Sequence, residues 1–321
     1  LMGMLFQQFY NMMDTIIVGK FLGVSALASV GATGSINFMI IGFCMGVCNG
    51  FSIPVAQKFG AKDESGLRRF VANSVWLSVI FAAVMTVVVC ILCRQILIWM
   101  DTPANILEGS YRYIFVIFLG IPVTYLYNLL SGIMRALGDS KTPLIFLILS
   151  SVLNILFDLG AILILHMGVA GAAWATVTAQ GISGVLCLIY MKKKYTILKI
   201  SKDEWKLNGS CIARLCGMGI PMGLQYSITA IGSVVLQTAV NRLGSTAVAA
   251  VASGGKLAMF FCCPFDAMGS TMSTYTGQNL GAQKLDRVDK GIFACSGLAL
   301  VYSVIACAAL LFTGQYLALL F

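Results

Sequence analysis

Residues 56–69 read AQKFGAKDESGLRR, and residues 277–290 read GQNLGAQKLDRVDK. Both carry Gln-x-x-Gly-Ala at one spacing. Upstream of each lies a second echo, FLGVSALASVGATG at 21–34 and RLGSTAVAAVASGG at 242–255. A single ungapped offset of 221 residues aligns both pairs. From Leu22 to Ala61 that offset makes ten of forty positions identical, Gly23, Gly34, Gln57, Gly60 and Ala61 among them. Shared apolar composition scatters Ala and Leu matches, but it does not set Leu-Gly and Gln-x-x-Gly-Ala at opposite ends of one stretch. The chain contains an internal repeat.

What repeats is a membrane unit. The 321 residues are 59% hydrophobic and only 10% charged, against roughly 25% charged in a soluble domain. A mean hydropathy of +0.91 leaves too little polar surface to cover one buried core. Apolar stretches fall near 1–19, 29–57, 70–93, 109–135, 142–165, 168–191, 212–241, 246–275 and 291–312, each long enough for about 30 Å of hydrocarbon. The short alternating segments of a transmembrane barrel are absent. The expected fold class is an all-α polytopic membrane protein.

Six spans separate the two copies. An even number leaves them pointing the same way across the bilayer, as a parallel repeat with a site between two bundles. The expected organisation is an amino-terminal six-helix lobe (1–191), a basic linker on the cytoplasmic side (192–211) and an incomplete carboxy-terminal lobe (212–321) with at least three of six spans. The chain therefore reads as a fragment lacking the last helices. The linker's mixture of Lys with Ile, Leu and Trp suits a helix lying on the inner membrane surface.

Basic residues set the orientation. With the amino end cytoplasmic, sixteen of the 21 Lys and Arg fall on inside segments; Lys20, Arg94, Arg112, Arg242 and Lys256 do not. That asymmetry places the chain in a cell (inner or plasma) membrane with its amino end inside. It also accounts for the net charge of +9 through the anionic leaflet, with no nucleic-acid partner.

Against this background Asp14 stands out. It lies within LFQQFYNMMDTIIVGKFLG, residues 5–23, and a carboxylate at a helix centre in lipid costs about 3 kcal/mol on insertion scales. Gln7, Tyr10 and Asn11 fall on its side of the helix, opposite Met13, Ile16 and Ile17, so Asp14 is expected to face the lobe interior. Its expected partner is the fifth span, SSVLNILFDLGAIL at 150–163, where Asn154 and Asp158 share one face at i, i+4. Two carboxylates and a carboxamide in a low-dielectric pocket can trade a proton. Their oxygens can equally cage a hard cation such as Na⁺. Asn128 is a weaker candidate, and helix packing explains it as well.

QQFYNMMDTIIVGKFLGVSALASVG at 7–31, RALGDSKTP at 135–143, GVAGAAWATVTAQ at 168–180 and GQNLGAQ at 277–283 together resemble the multidrug and toxic compound extrusion (MATE) transporters. The resemblance implies twelve helices in two six-helix lobes around a central cavity. It also implies secondary active efflux of cationic or amphipathic compounds, exchanged for H⁺ or Na⁺. Members have an acid on the first helix and Asn-x-x-x-Asp on the fifth as the coupling site of the amino-terminal lobe, which Asp14, Asn154 and Asp158 match. Thr176 matches a hydroxyl near that site. Some relatives carry an acid on the seventh span; here GIPMGLQYSITAIGSVVLQTAV at 219–240 has none, and Gln225 is its most central polar group apart from hydroxyls. The eighth span offers Asp266, just after Pro264, where a broken helix can line a cavity.

Other readings fare worse. A lipid-linked oligosaccharide flippase of the same broad fold is the alternative, but it wants several cavity arginines and the spans hold almost none. An enzyme wants a nucleophile–base pair or H-E-x-x-H, and the single histidine is His166. A passive pore does not call for paired acids on separate spans. GDSKT at 138–142 lacks the leading glycine and loop length of a phosphate-binding loop. The eleven cysteines read as small apolar filler; Cys90 and Cys93 have ligand spacing but no second pair. No cofactor beyond the coupling ion and no metal other than Na⁺ at Asp14, Asn154 and Asp158 is expected. The expected partners are small-molecule substrates and the bilayer, with the protein a monomer. Two further features bear on movement: Gly42, Gly46 and Gly50 recur every four residues, admitting a close backbone, and Pro122 is placed to kink the fourth span.

Overall fold

A computed structural model describes residues 6, 13–14, 16–100, 102–241 and 245–318. The regular structure among them is helical throughout. In chain order the elements are α1 (described at 13–14 and 16–22), α2 (Val24–Ala32), α3 (Gly34–Gly60), α4 (Glu64–Trp99), α5 (Ala104–Leu119), α6 (Ile121–Ala136), α7 (Lys141–Leu159), a π-helical turn (Gly160–Ile164), α8 (Gly168–Lys194), α9 (Gly209–Asn241), α10 (Ser245–Gly281) and α11 (Leu285–Ala318). Each helix from α3 onward coincides with one of the apolar stretches read from the sequence, α5 and α6 together making the fourth.

Five of the described helices, α7 being counted with its π turn (Lys141–Ile164), are long and apolar enough to cross a membrane. A sixth such unit is the pair α5–α6, bent by 46°. The bend falls at Gly120, where a Cβ would overlap the Val177 side chain of α8, and Pro122 sits in the first turn after it. Pro is tolerated there because a first-turn N–H has no helical partner to lose. α9 and α10 are 33 and 37 residues long but less apolar, with hydroxyls and glycines spread along them.

α3 is the central helix. It packs on α6 within the amino-terminal bundle and on α9 and α10 across the molecule. The glycine row makes this possible. A Cβ on Gly46 would lie 2.7 Å from the Gly223 Cα, and one on Gly50 would lie 2.5 Å from the Gly219 Cα. Gly42 receives the Tyr226 side chain. Backbones this close gain dispersion contacts along both helices, which is how helices associate where no water drives them together. Beyond Tyr226, α9 turns Ile228, Ile231, Val235 and Leu236 outward as exposed side chains.

The segment between α8 and α9 corrects one expectation. It does not form a surface helix: residues 195–208 contain a single 3₁₀ turn (Thr196–Leu198) and are otherwise turns and irregular chain. The apolar and basic residues there lack a helical period, and side-chain anchors dictate the path instead. Glu204 receives Arg68 Nε at 2.8 and 2.9 Å and the Ser201 amide at 2.9 Å. The Asn208 amide donates to Asn73 Oδ1 at 3.0 Å, and Trp76 donates to the Trp205 carbonyl at 3.2 Å. At the other end Tyr195 donates to Asp139 at 2.5 Å.

Asp139 is the hub of that end. Burial pushes its carboxyl up, but the Thr142 amide, the Tyr195 and Thr142 hydroxyls and the Lys194 ammonium outweigh burial and hold it well below the usual carboxylate range. Glu204 is likewise held low, first by the Ser201 amide and then by Arg68.

Candidate functional site: a buried acid pair in the amino-terminal bundle

α7 is amphipathic in an inverted sense. Ile145, Val152 and Leu156 are exposed on one face, while Ser150, Asn154 and Asp158 are buried on the other. In lipid this is the stable arrangement, because polar groups find partners only inside the bundle. The i, i+4 spacing then carries Asn154 and Asp158 to the same inner surface. There Asp158 is fully buried, Asn154 is 1% exposed, and Asp14 of α1 is 8% exposed.

Asp14 and Asp158 lie close enough for their carboxyl groups to interact. Asn154 is oriented from its far side. Its Nδ2 donates to Thr176 Oγ1 of α8 at 3.0 Å, and that hydroxyl donates to the Ala172 carbonyl at 3.1 Å. With its amide nitrogen tied to Thr176, Asn154 is left to offer its oxygen. Asp14 Oδ1, Asn154 Oδ1 and both oxygens of Asp158 are buried and have no donor among the described residues.

Four buried acceptor oxygens on two helices, two of the groups carboxylates, form a receptor for positive charge. A buried carboxylate is costly unless paired, and nothing among the described residues supplies a basic partner here. A proton bridging the two carboxyls, or a hard cation bound by carboxylate and carboxamide oxygens, satisfies the cluster. Among the described residues no group of three or more His, Cys, Asp or Glu is placed to hold a metal ion. The π turn begins two residues after Asp158, and such turns concentrate at functional sites.

The other residues singled out in the sequence lie elsewhere. Gln7, Tyr10 and Asn11 are outside the described residues. Asn128 donates to the Thr124 carbonyl of its own helix at 2.8 Å and takes no part in the cluster. Gln225 is exposed on α9. Asp266 is exposed on α10, within electrostatic reach of Tyr226 and apart from the acid pair. Sequence reasoning missed the contact between Thr124 of α6 and Gln180 of α8, at 3.4 Å. Its signal was available, since Gln180 follows Thr176 by four residues on the same face.

The profile of the MatE family matches residues 1–159 and 221–321. A probable multidrug resistance protein of Bacillus subtilis, YoeA, is 30% identical over 88% of this chain and 62% of its own length. The FAD transporter of Shewanella oneidensis is 24% identical over 97% of this chain and 70% of its own. The chain thus spans just under two thirds of YoeA, and 64% of a second Bacillus subtilis relative, YpnP. An outward-facing multidrug resistance MATE family transporter superposes with a TM-score of 0.90 at 23% identity, over 99% of this chain and 71% of that one. A MOP superfamily transporter from Pyrococcus furiosus gives 0.92 at 23% identity, with the same coverage. The fold is that of the two-lobed, multi-pass transporters, and the chain belongs to the MatE family, a family of transporters and not of enzymes.

Proposed function

We propose that the protein is a secondary active exporter, which moves cationic or amphipathic small molecules outward in exchange for H⁺ or Na⁺ by alternating access. The observation that carries this reading is the acid cluster of Asp14, Asn154 and Asp158, which has no donor among the described residues and whose Asn154 is oriented by Thr176. A cation entering the cluster cancels the repulsion between two carboxylates on different helices, so its arrival changes how α1 packs on α7. In this reading residues 1–191 form the amino-terminal lobe, 192–211 the linker and 212–321 the first part of the second lobe. The amino end and linker face the cytoplasm, where the basic residues are concentrated, and the protein acts as a monomer in the cell membrane.

The energetics suffice. One elementary charge moving through 100 mV supplies about 2.3 kcal/mol, nearly fiftyfold in concentration, before any chemical gradient is added. The family membership and the multidrug names of the Bacillus relatives support a drug-like substrate. The test is export of ethidium from vesicles containing the complete protein, with pH and sodium gradients imposed separately. The reading expects one gradient to drive export without nucleotide; export indifferent to both gradients refutes it.

A further inference from the structure

The residues that reveal the repeat also meet each other in space. Gly60 and Gly281 are equivalent under the 221-residue offset, as are Gln57 and Gln278. A Cβ on Gly60 would overlap the Gln278 carbonyl, and a Cβ on Gly281 would overlap the Gln57 carbonyl. Each helix end therefore packs its glycine against the other's glutamine backbone, a self-complementary contact of the kind a two-fold axis generates. Gly277 completes it, lying against its own counterpart Ala56.

The turns that follow are also equivalent. The amides of Ala61, Lys62 and Asp63 donate to the carbonyls of Gln57, Phe59 and Lys58; those of Ala282, Gln283 and Lys284 donate to Gln278, Leu280 and Asn279. Lys62 has φ 57° and Gln283 has φ 56°, both in the left-handed region. The same helix stop is built twice and the two stops are pressed together, with α3 belonging to one bundle and α10 to the other.

The two glutamine side chains then cross between the bundles. Gln278 Nε2 donates to the Ala136 carbonyl at the end of α6 at 2.8 Å, a carbonyl that no further helical turn satisfies. Gln57 Oε1 accepts from Arg214 Nη2 of α9 at 2.6 Å. At this end of the molecule lie the turns after α3, α6 and α10 and the anchored linker. Toward the other end, Ser227 of α9 donates to the Met39 carbonyl of α3 at 3.1 Å, and beyond it α9 turns its apolar residues outward.

From this geometry we infer that Gln57 and Gln278 are the latch, and Gly60 and Gly281 the contact surface, that keep the linker-bearing end of the transporter closed. The inference rests on the alternating-access reading, in which this end must open once per cycle. Two hydrogen bonds and a glycine crossing suit a gate of this kind. They seal the backbone tightly, yet among the described residues only two side-chain hydrogen bonds join the glutamines to the opposite bundle. Among the described residues no ion pair joins the two helix stops, so opening separates no charges there.

The test is double electron–electron resonance on the complete protein in lipid. Spin labels are carried on non-natural side chains at Ser65 and Asp286, an exposed pair related by the same offset, so the native cysteines stay in place. Gln57→Ala and Gln278→Glu should each raise the ratio of long-distance to short-distance populations by about fivefold, and together by about 25-fold, as expected for one and two net hydrogen bonds. Gly60→Val should remove the short-distance population. Distances unchanged in both glutamine variants, or a short-distance population that persists in Gly60→Val, overturn the assignment. The readout is independent of export: distances that respond in a protein that exports nothing would leave the latch standing and sink the transport reading instead.

Discussion

Replacing Asp158 by Asn should make the protein more stable and disable it in one step. Both oxygens of Asp158 are buried without a donor among the described residues, and Asp14 Oδ1 is in the same condition. A buried polar group left unsatisfied costs about 1–3 kcal/mol, more if charged. Asp158→Asn removes one of the two facing carboxylates and introduces an amide that can donate to Asp14. The resting fold should therefore gain about 1–3 kcal/mol. Cation binding moves the opposite way. A carboxylate about 4 Å from a bound unit charge contributes about 4 kcal/mol at an effective dielectric constant near 20, so its loss should weaken the ion about a thousandfold. The assay pairs thermal unfolding of the purified protein with ethidium export from vesicles. The expected result is a raised melting temperature with gradient-driven export lost. A variant that melts lower and exports normally would show that the cluster only packs helices, and would refute the reasoning.

Thr176→Ala removes the 3.0 Å anchor of the Asn154 amide but leaves every acidic group in place. It should raise the half-saturating concentration of the coupling ion about fivefold, one hydrogen bond's worth, with little change in maximal export, measured from ion titrations of the rate. Gly46→Val drives a branched side chain into the Gly223 backbone and should prevent α3 and α9 from packing, visible as loss of folded protein on size-exclusion chromatography. Arg68→Ala leaves Glu204 without the Nε–H that its two oxygens share; at this partly solvated site the cost should be about 1 kcal/mol, with residues 195–208 cut faster by trypsin. Asp139 is held below the ordinary carboxylate range in the folded protein. Its contribution to linker anchoring should be complete above the unfolded value of about 3.9 and should fade as pH falls toward the folded one. Hydrogen exchange at residues 195–199, relative to the intrinsic rate, should therefore quicken only in acid, and Asp139→Asn should reproduce that local loosening at neutral pH.

Much of this was legible in the residues. The parallel repeat, the spans and the shared face of Asn154 and Asp158 follow from spacing alone, because a helix in lipid has few ways to place a polar side chain. Asp14 could be assigned to the bundle interior for the same reason. The Gly42–Gly46–Gly50 row announced a close helix, though not that the helix would be α9. The linker misled: its Lys, Ile and Trp content matched a surface helix, but Glu204, Asn208 and Tyr195 pair with Arg68, Asn73 and Asp139, far away in sequence. Long-range partners of this kind leave no periodic trace. The glutamine latch was hidden differently. Gln57 and Gln278 match by letter in the repeat, and only their reciprocal packing gives the match a physical reason. The bend at Gly120 was expected near Pro122; the glycine's approach to Val177 sets its position.

The central claim is that occupancy of the Asp14–Asp158 pair by a small cation is coupled to substrate movement. Its most direct test runs the exchange backward. Vesicles containing the complete protein, with no imposed ion gradient, are given a steep outward-to-inward ethidium gradient, and the movement of H⁺ and of Na⁺ is recorded. The account predicts that one of these ions flows opposite to the dye, and that the flow vanishes in Asp14→Asn and in Asp158→Asn. Dye entry with no ion counterflow, or counterflow that survives both substitutions, would contradict it.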